Sequence, residues 1–251
     1  MAWILDLDGV TWLGPDVVPG VPEAVARLRE AGERVLFLTN NSSRPVSDVL
    51  EKLKGMDIEA SPDEIATSAL AAAAMLEKGS TALVCAGVGV EEALEERGVK
   101  RVSEGDADAV VVGWFREFDY DRLTVAFHAV SKGARLIGTN DDPTYPTPEG
   151  PIPGGGALIA AVATAAGVEA EVAGKPHQPM VDLVRSRLGE ETEGVILVGD
   201  RPSTDGAMAR RLGVKFALVM SGVSDHEDIP DDPPPDHVAD DLPTLVDELL
   251  D

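Results

Sequence analysis

Short apolar runs alternate along this chain with segments of helical length. Most of the runs are rich in valine, leucine and isoleucine without alternating polar positions, a pattern typical of strands covered on both faces. Strands and helices that alternate in this way favour parallel strands joined by helices. The sequence therefore predicts an α/β protein with strands over residues 3–7, 34–38, 81–86, 109–112, 135–138, 195–198 and 215–219.

Proline and glycine mark the ends of helices and the main loops. Pro22 with Gly32 and Pro179 with Gly189 bracket two helical segments, because proline is favoured at the start of a helix and glycine just beyond its end. An alanine-rich segment is interpreted as a further helix packed into the core. The predicted helices cover residues 23–31, 64–76, 180–188 and 207–212, and the segments 147–156 and 229–235 are predicted loops.

The charge balance is strongly acidic. The 251 residues include 45 Asp and Glu against 21 Lys and Arg, a formal net charge of −24. Such a charge repels nucleic acid and excludes it as a partner. Because the carboxylates are spread along the chain and 44% of the residues are hydrophobic, the composition indicates a folded protein. It is typical of a protein from a halophile, in which salt screens the surface charges.

The sequence shows no signal for export or membrane insertion. Its start has no basic region followed by a long apolar segment, and no apolar run is long enough to span a bilayer. The single cysteine, Cys85, excludes an intramolecular disulfide and a thiolate metal cluster, and is interpreted as a small buried hydrophobic residue. We expect a cytoplasmic enzyme without a membrane partner, and a homodimer is left open.

Two carboxylates end the first apolar run. Asp6 and Asp8 stand two residues apart and are followed by Gly9. Ligands bind at the carboxyl ends of parallel strands, and side chains two residues apart on a strand share a face. Two like charges so close require a cation between them or a proton on one of them. An ordinary Asp-Gly turn after a strand explains this motif equally well.

Phosphate-binding groups are candidates in two further segments. Thr39, Asn40 and Asn41 follow the second predicted strand and offer hydroxyl and amide donors, although a turn that caps the next helix has the same composition. Lys175, one of only seven lysines, lies between a glycine and a proline. A lysine fixed near two aspartates neutralises them and binds an anion, but a solvated surface lysine is the commoner case.

A further pair of carboxylates follows the apolar run 195–198. Asp200 comes after the glycine that ends this run, and Asp205 precedes the predicted helix 207–212. Carboxylates from separate strands suit Mg²⁺, which prefers oxygen ligands and keeps several waters. Zinc is disfavoured because no pair of histidines has ligand spacing. Gly87-Val88-Gly89 lacks the third glycine of a dinucleotide site and is predicted to be a strand-to-helix turn.

In this order the motifs resemble the haloacid dehalogenase-like (HAD) hydrolases. The resemblance is to the NagD-like or p-nitrophenylphosphatase-like branch, which has a large α/β cap, and it covers nearly the whole chain. It is carried by the runs Asp8-Gly9-Val10, Val18-Pro19-Gly20, Thr39-Asn40-Asn41-Ser42, Thr67-Ser68-Ala69, Gly138-Thr139-Asn140, Pro153-Gly154-Gly155-Gly156, Gly174-Lys175-Pro176 and Ser221-Gly222-Val223.

The resemblance implies a magnesium-dependent phosphomonoester hydrolase that acts on a small phosphorylated metabolite through a phosphoaspartate. Asp6 is then the nucleophile, and Asp8 protonates the leaving oxygen and later activates water. The expected substrate classes are sugar phosphates, nucleotides, phosphoglycolate and glycerol phosphate. The implied residues for holding the phosphoryl group are Thr39, Asn40, Asn41 and Lys175, with Thr39 and Lys175 also counted as catalytic.

The resemblance also implies the metal ligands and the fold. Mg²⁺ is held by Asp6, the carbonyl of Asp8 and Asp200, with Asp205 orienting the ligands. The fold is a doubly wound, Rossmann-like parallel sheet that forms the catalytic core, with an inserted α/β cap domain. We expect the core to cover residues 1–79 and 172–251 and the cap to cover residues 80–171.

Two segments depart from the usual pattern of the branch. Pro202 and Ser203 stand where Leu-Asp is common, and Ser203 is expected to weaken support for the metal ligands. Asp141 stands where the cap segment usually has proline, between Asn140 and Asp142, which are the candidate contacts to the leaving group. His177 is interpreted as a loop or capping residue.

Two other functions stay open. A phosphotransferase or mutase uses the same phosphoaspartate but passes the group to a sugar hydroxyl, and a regulatory phosphate-binding protein keeps the fold without turnover. A dehalogenase is disfavoured because Asp8 supplies the acid and base that phosphoester chemistry needs.

The acidic composition predicts that the fold requires salt. At low ionic strength the net charge of −24 produces strong self-repulsion, whereas at about 1 M salt the Debye length falls to about 3 Å. We expect the melting temperature, followed by circular dichroism, to fall as potassium chloride is reduced from multimolar to tens of millimolar. An unchanged melting temperature would refute this interpretation.

Overall fold

The protein is described by a computed structural model that covers residues 2–145, 150–189 and 192–250. The chain divides into two compact units. The first comprises Met1–Thr39, Val49–Ala66 and Val184–Asp251, and the second comprises Asn40–Asp48 and Thr67–Leu183. The expected division into a core of residues 1–79 and 172–251 and a cap of residues 80–171 remains a prediction. Within the described ranges, no helix combines the length and the apolar character needed to cross a bilayer.

Parallel strands and α-helices make up most of the chain. The strands are β1 (Ala2–Asp6), β2 (Trp12–Leu13), β3 (Asp16–Val17), β4 (Arg34–Thr39), β5 (Ile65–Thr67), β6 (Thr81–Cys85), β7 (Lys100–Val102), β8 (Ala109–Val112), β9 (Arg135–Gly138), β10 (Thr144–Tyr145), β11 (Ile152–Pro153), β12 (Glu171–Val172), β13 (Ile196–Gly199), β14 (Lys215–Val219) and β15 (His237–Ala239). The α-helices are α1 (Val21–Glu30), α2 (Val46–Gly55), α3 (Ser68–Ala74), α4 (Val88–Arg97), α5 (Tyr120–Ser131), α6 (Gly155–Ala166), α7 (Gln178–Leu188), α8 (Ala207–Leu212) and α9 (Leu242–Leu250).

The larger sheet has the strand order β15-β14-β13-β1-β4-β5. Its central strand β1 pairs in parallel with both β13 and β4, so that Ile4 lies opposite Leu197 and Leu36. Every residue of β1 is buried, which explains why this run shows no polar alternation. The parallel arrangement places the carboxyl ends of β13, β1 and β4 at one edge of the sheet.

The smaller sheet has the order β12-β9-β8-β6-β7, and all of its pairs are parallel. Leu83, Val110 and Leu136 form a hydrophobic core with Ile159 of α6. Cys85 belongs to the same core and is buried, as predicted. Desolvation by burial raises the pKa of its thiol to about 11, so the group stays protonated and packs as a small apolar side chain.

The α/β fold with parallel sheets is confirmed, and the seven predicted strands are present within one residue at each end. The predicted helix 207–212 agrees with α8, and the helices 23–31 and 180–188 each begin two residues earlier than predicted. The segment 229–235 contains no helix or strand, as expected for a loop.

The predicted helix 64–76 is wrong in its first part. Residues Pro62–Glu64 form a 3₁₀ turn closed by a capping box with Ser61, and Ile65–Thr67 form the fully buried edge strand β5. The helix begins only at Ser68, where the Thr67 hydroxyl accepts a hydrogen bond from the N–H of Leu70. Pairing of β5 with the sheet and the cap at Thr67 therefore override the helix propensity of the alanines that follow.

The predicted loop 147–156 is also partly wrong. Ile152–Pro153 pairs with Thr144–Tyr145 as a short antiparallel ladder, and α6 begins at Gly155. Gly156 tolerates no side chain, because a Cβ there would lie 2.4 Å from the carbonyl oxygen of Asp141. Gly156 therefore allows the start of α6 to pack closely against the backbone of Asp141 and does not indicate a flexible loop. Residues 147–149 lie outside the described residues.

Gly87-Val88-Gly89 connects β6 to α4, which confirms the predicted strand-to-helix turn. The glycines are required by packing, since a Cβ on Gly89 would lie 2.2 Å from the carbonyl oxygen of Arg44, and one on Gly87 would lie 2.6 Å from that of Ser43. The first turn of α4 thus rests directly on the backbone of the segment that follows β4.

This contact predicts that Gly89→Ala lowers the free energy of unfolding by about 1–3 kcal/mol, because backbone must move to admit the methyl group. Gly55→Ala is the matched control: Gly55 ends α2, and a Cβ added there would meet nothing within 4 Å, so alanine should stabilise by about 0.4–1 kcal/mol. Urea denaturation measures both. Equal stabilities of the two variants would contradict the packing role of Gly89.

Candidate active site

The carboxyl edge of the larger sheet carries the acidic and hydroxyl groups predicted from the sequence. Asp6 is the last residue of β1, Thr39 is the last residue of β4, and Asp200 follows β13 directly. Because β1 lies between β13 and β4, these three residues come from adjacent strand ends. All three side chains are buried.

Asp6, Asp200 and Asp205 form a cluster of buried carboxylates. One oxygen from each lies within 4.8 Å of the oxygens of the other two. Three like charges at this spacing and out of water are unfavourable unless a cation neutralises them. The donor set is all oxygen, which fits a hard divalent cation such as Mg²⁺ or Ca²⁺. The cluster thus fits a metal site and brings together three of the residues predicted for it, Asp6 and Asp200 as ligands and Asp205 as the residue that orients them.

Glycines make room for the Asp200 carboxylate. A Cβ on Gly222 would lie 2.0 Å from Asp200 Oδ2, and one on Gly9 would lie 2.3 Å from the same atom. Gly9 also has φ +92°, a conformation that L side chains rarely adopt. The hydroxyl of Ser221 donates to the carbonyl of Gly9 at 2.7 Å and links the two loops.

Backbone N–H groups hold the carboxylates in place. Leu7 N–H donates to Asp6 Oδ1 at 2.8 Å, and Val223 N–H donates to Asp200 Oδ2 at 2.8 Å. Arg201 N–H donates to Asp205 Oδ2 at 3.1 Å from within the turn that precedes α8. These donors fix the orientation of the carboxylates without neutralising their charge. Ser203, in the same turn, is exposed.

Asp8 stands outside the regular strand. Strand β1 ends at Asp6 and the chain turns at Gly9, so the strand alternation expected from the sequence does not extend to Asp8. Its carboxylate accepts from the indole N–H of Trp12 at 2.9 Å and lies 3.5 Å from the Thr39 hydroxyl oxygen. Asp8, the candidate acid and base, is therefore held by Thr39 at the end of β4 and by the indole of Trp12, four residues later in the chain.

Trp12, which contacts the candidate acid and base Asp8, was not singled out from the sequence. Its ring is buried, and Lys52 Nζ lies 3.7 Å from the ring centroid, a cation–π contact. The same ammonium donates to the carbonyl of Gly14 at 2.7 Å. The only signal in the sequence is an aromatic residue after the Asp-Gly turn, which by itself is typical of core packing.

In the second unit, Asn40 is connected to Lys175 and to the segment after β9. The Asn40 amide bonds to the Lys175 backbone and to the Asp142 carboxylate, while Asn140 Nδ2 donates to the carbonyl of Asn40 at 2.9 Å. Lys175 and Asn140 are buried. Asn41 instead closes its own turn, where its Oδ1 accepts from the N–H and the hydroxyl of Ser43. The phosphate-binding roles of Asn40 and Asn41 and the leaving-group contacts of Asn140 and Asp142 stay predictions.

The unusual residue Asp141 has a specific partner. His177 Nε2 lies 2.9 Å from Asp141 Oδ2, and this hydrogen bond lowers the pKa of the Asp141 carboxyl from its ordinary value. His177 also donates its backbone N–H to the carbonyl of Gly174 at 2.8 Å. Asp141 thus provides a polar link to His177, the residue just before α7, which was predicted to be a loop or capping residue.

The sequence of this chain is similar to those of known protein families and of named phosphatases. Residues 3–100 match the family described as haloacid dehalogenase-like hydrolase, and residues 172–245 match a related family described as HAD-hydrolase-like. The acid sugar phosphatase of Staphylococcus epidermidis is 34% identical over 252 aligned residues, which cover 99% of this chain and 97% of that protein.

Solved structures show the same similarity. The p-nitrophenyl phosphatase from Archaeoglobus fulgidus superposes with a TM-score of 0.92 at 31% identity and covers 99% of this chain and 98% of its own. The glycerol phosphate phosphatase from Mycobacterium tuberculosis, solved in complex with magnesium, superposes with a TM-score of 0.89 at 30% identity, over 97% of this chain and 75% of its own.

The close approach at Asp200 predicts that Gly222→Ala weakens Mg²⁺ binding by about 10–100-fold, because the added methyl group displaces a carboxylate of the cluster. Ser203→Ala is the control, since this exposed side chain lies in the turn beside the cluster and should leave the affinity unchanged. Isothermal titration calorimetry with Mg²⁺ measures both. A folded Gly222→Ala variant with wild-type affinity would contradict the hypothesis that this cluster binds the metal.

Proposed function

This chain belongs to the haloacid dehalogenase-like hydrolases, and we propose that within this family it is a magnesium-dependent phosphatase that forms a phosphoaspartate on Asp6. The observation that carries the proposal is the buried cluster of Asp6 and Asp200, at adjacent strand ends, with Asp205 in the turn before α8. A further carboxylate, Asp8, stands two residues from the nucleophile. A nucleophile, an acid and base, and a cation site are the groups that phosphoryl transfer requires.

We propose a small sugar phosphate or glycerol phosphate as the substrate. The support is the activity for which the relatives are named, an acid sugar phosphatase with 34% identity and a glycerol phosphate phosphatase with 30% identity. The net charge of −24 makes a large polyanionic substrate unfavourable, whereas a small phosphate ester adds little repulsion.

In the proposed reaction, a carboxylate oxygen of Asp6 forms a bond to phosphorus as the bond between phosphorus and the leaving oxygen breaks. Asp8 gives its proton to that oxygen. Asp8 then takes a proton from water, the water oxygen attacks phosphorus, and inorganic phosphate leaves as Asp6 is regenerated. Trp12, which donates to Asp8, keeps the carboxylate directed between these two proton transfers.

Phosphate binding is proposed for Thr39 and Lys175. Thr39 is buried at the end of β4 and offers a hydroxyl donor, and the buried Lys175 offers a positive charge for the phosphoryl oxygens. When bound, Mg²⁺ supplies further positive charge beside the reacting group, and Asp6, the carbonyl of Asp8 and Asp200 are its proposed ligands, with Asp205 orienting them.

The proposal predicts that Asp6→Asn lowers kcat on p-nitrophenyl phosphate by on the order of 10⁴-fold or more, because an amide is a poor nucleophile and a weaker metal ligand. Asp16→Asn is the matched control, since Asp16 is exposed in β3 and should leave kcat unchanged. Phosphate release with added Mg²⁺ and with EDTA is the measurement. Full activity of Asp6→Asn, or of the wild type in EDTA, would refute the mechanism.

A further inference from the structure

The side-chain amide of Asn40 forms hydrogen bonds with the backbone of Lys175. Asn40 Oδ1 accepts from the Lys175 N–H at 2.7 Å, and Asn40 Nδ2 donates to the Lys175 carbonyl at 3.2 Å. The same nitrogen donates to Asp142 Oδ2 at 3.1 Å. The amide therefore pairs with both backbone groups of one residue, as a neighbouring strand would.

These three bonds leave the amide without a donor for a ligand. A phosphoryl oxygen is an acceptor and needs an N–H, but an asparagine has only two, and both of those of Asn40 are directed at oxygens of Lys175 and Asp142. Rotating the amide by 180° does not release one, because Nδ2 would then face the Lys175 N–H and Oδ1 would face two acceptors.

The surrounding residues are shaped to hold Asn40 in this position. A Cβ on Gly174 would lie 2.5 Å from Asn40 Oδ1, and Gly174 does not have a positive φ, so glycine is required here for space. The carbonyl of Asn40 accepts from the hydroxyl of Ser68 at 2.6 Å and from Asn140 Nδ2 at 2.9 Å. Both the backbone and the side chain of Asn40 are thus fixed by hydrogen bonds from other segments.

We propose that Asn40 is a positioning residue that acts through Lys175, and that its amide does not contact the phosphoryl group. This inference rests on the proposed function, in which the buried Lys175 ammonium binds the phosphoryl oxygens. A lysine side chain has four rotatable bonds between its Cα and its ammonium, so the position of the ammonium depends on where the backbone of the lysine is held. By pairing with both backbone groups of Lys175, Asn40 fixes the position of the lysine backbone. Gly174, the residue before the lysine, leaves space for the Asn40 amide.

A double-mutant cycle on p-nitrophenyl phosphate with saturating Mg²⁺ tests this role. Asn40→Ala should lower kcat/KM by on the order of 10²-fold in the wild-type background, since a displacement of about 1 Å costs this much. In the Lys175→Met background, Asn40→Ala should change kcat/KM by less than about twofold, because there is no ammonium left to position. Gln178→Ala removes an exposed amide three residues beyond Lys175 and should have no effect in either background.

The outcomes separate this inference from the proposed function. A loss larger than about twofold on Asn40→Ala in the Lys175→Met background overturns the inference, because the amide then acts on something other than Lys175. No loss in the wild-type background overturns it as well. Wild-type activity of Lys175→Met instead contradicts the proposed role of the lysine itself.

If circular dichroism shows that Asn40→Ala does not fold, Asn40→Asp replaces it in the same cycle. This substitution keeps the shape and the acceptor for the Lys175 N–H but removes both donors. The same criteria apply: a loss confined to the background that retains Lys175 supports positioning, and equal losses in both backgrounds refute it.

Discussion

Repulsion among the buried carboxylates of Asp6, Asp200 and Asp205 is the constraint on which the first unit depends. Each buried ion costs several kcal/mol, whereas a fully buried leucine or isoleucine contributes about 1.5–3 kcal/mol. One apolar side chain cannot offset one such charge, but the run of buried apolar residues that precedes Asp6 in β1 offsets more. A bound cation removes much of the remaining cost, so folding and metal binding are expected to favour each other.

The fold could be predicted where a segment is buried on both faces, because such strands appear as unbroken apolar runs. This held for β1, β4, β13 and β14 of the larger sheet and for β6, β8 and β9 of the smaller one, whereas its partly exposed edge strands β7 and β12 were not predicted. It failed at Ile65–Thr67, where three residues are too short a run to outweigh the alanines that follow in the sequence. A strand this short forms because it pairs with β4, and local propensity carries no information about that pairing.

The acidic residues of the site could be predicted, but the groups that hold them could not. Asp6 and Asp200 stand out because each follows an apolar run, a pattern visible along the chain. The contact between Gly222 and Asp200 joins residues that are not neighbours in the sequence. A sequence also does not distinguish a glycine that is required for space from one that is required for a turn. Trp12 was missed for a related reason, since an indole that donates to a carboxylate and one that only packs look alike in a sequence.

Asn40 shows how far a motif determines a role. In sequence it follows Thr39 and shares its polar character, so both were predicted to hold phosphate. A hydroxyl rotates to suit its partner, whereas the two donors of an amide are fixed in one plane, and those of Asn40 bind the Lys175 carbonyl and Asp142. Asn40 is partly buried, and a polar group shielded from water whose donors are all bonded within the protein favours one conformation, because movement leaves a donor unpaired at a cost of up to about 1–3 kcal/mol. A saturated amide beside a buried lysine is therefore better suited to fixing geometry than to binding a ligand that must enter and leave in every catalytic cycle.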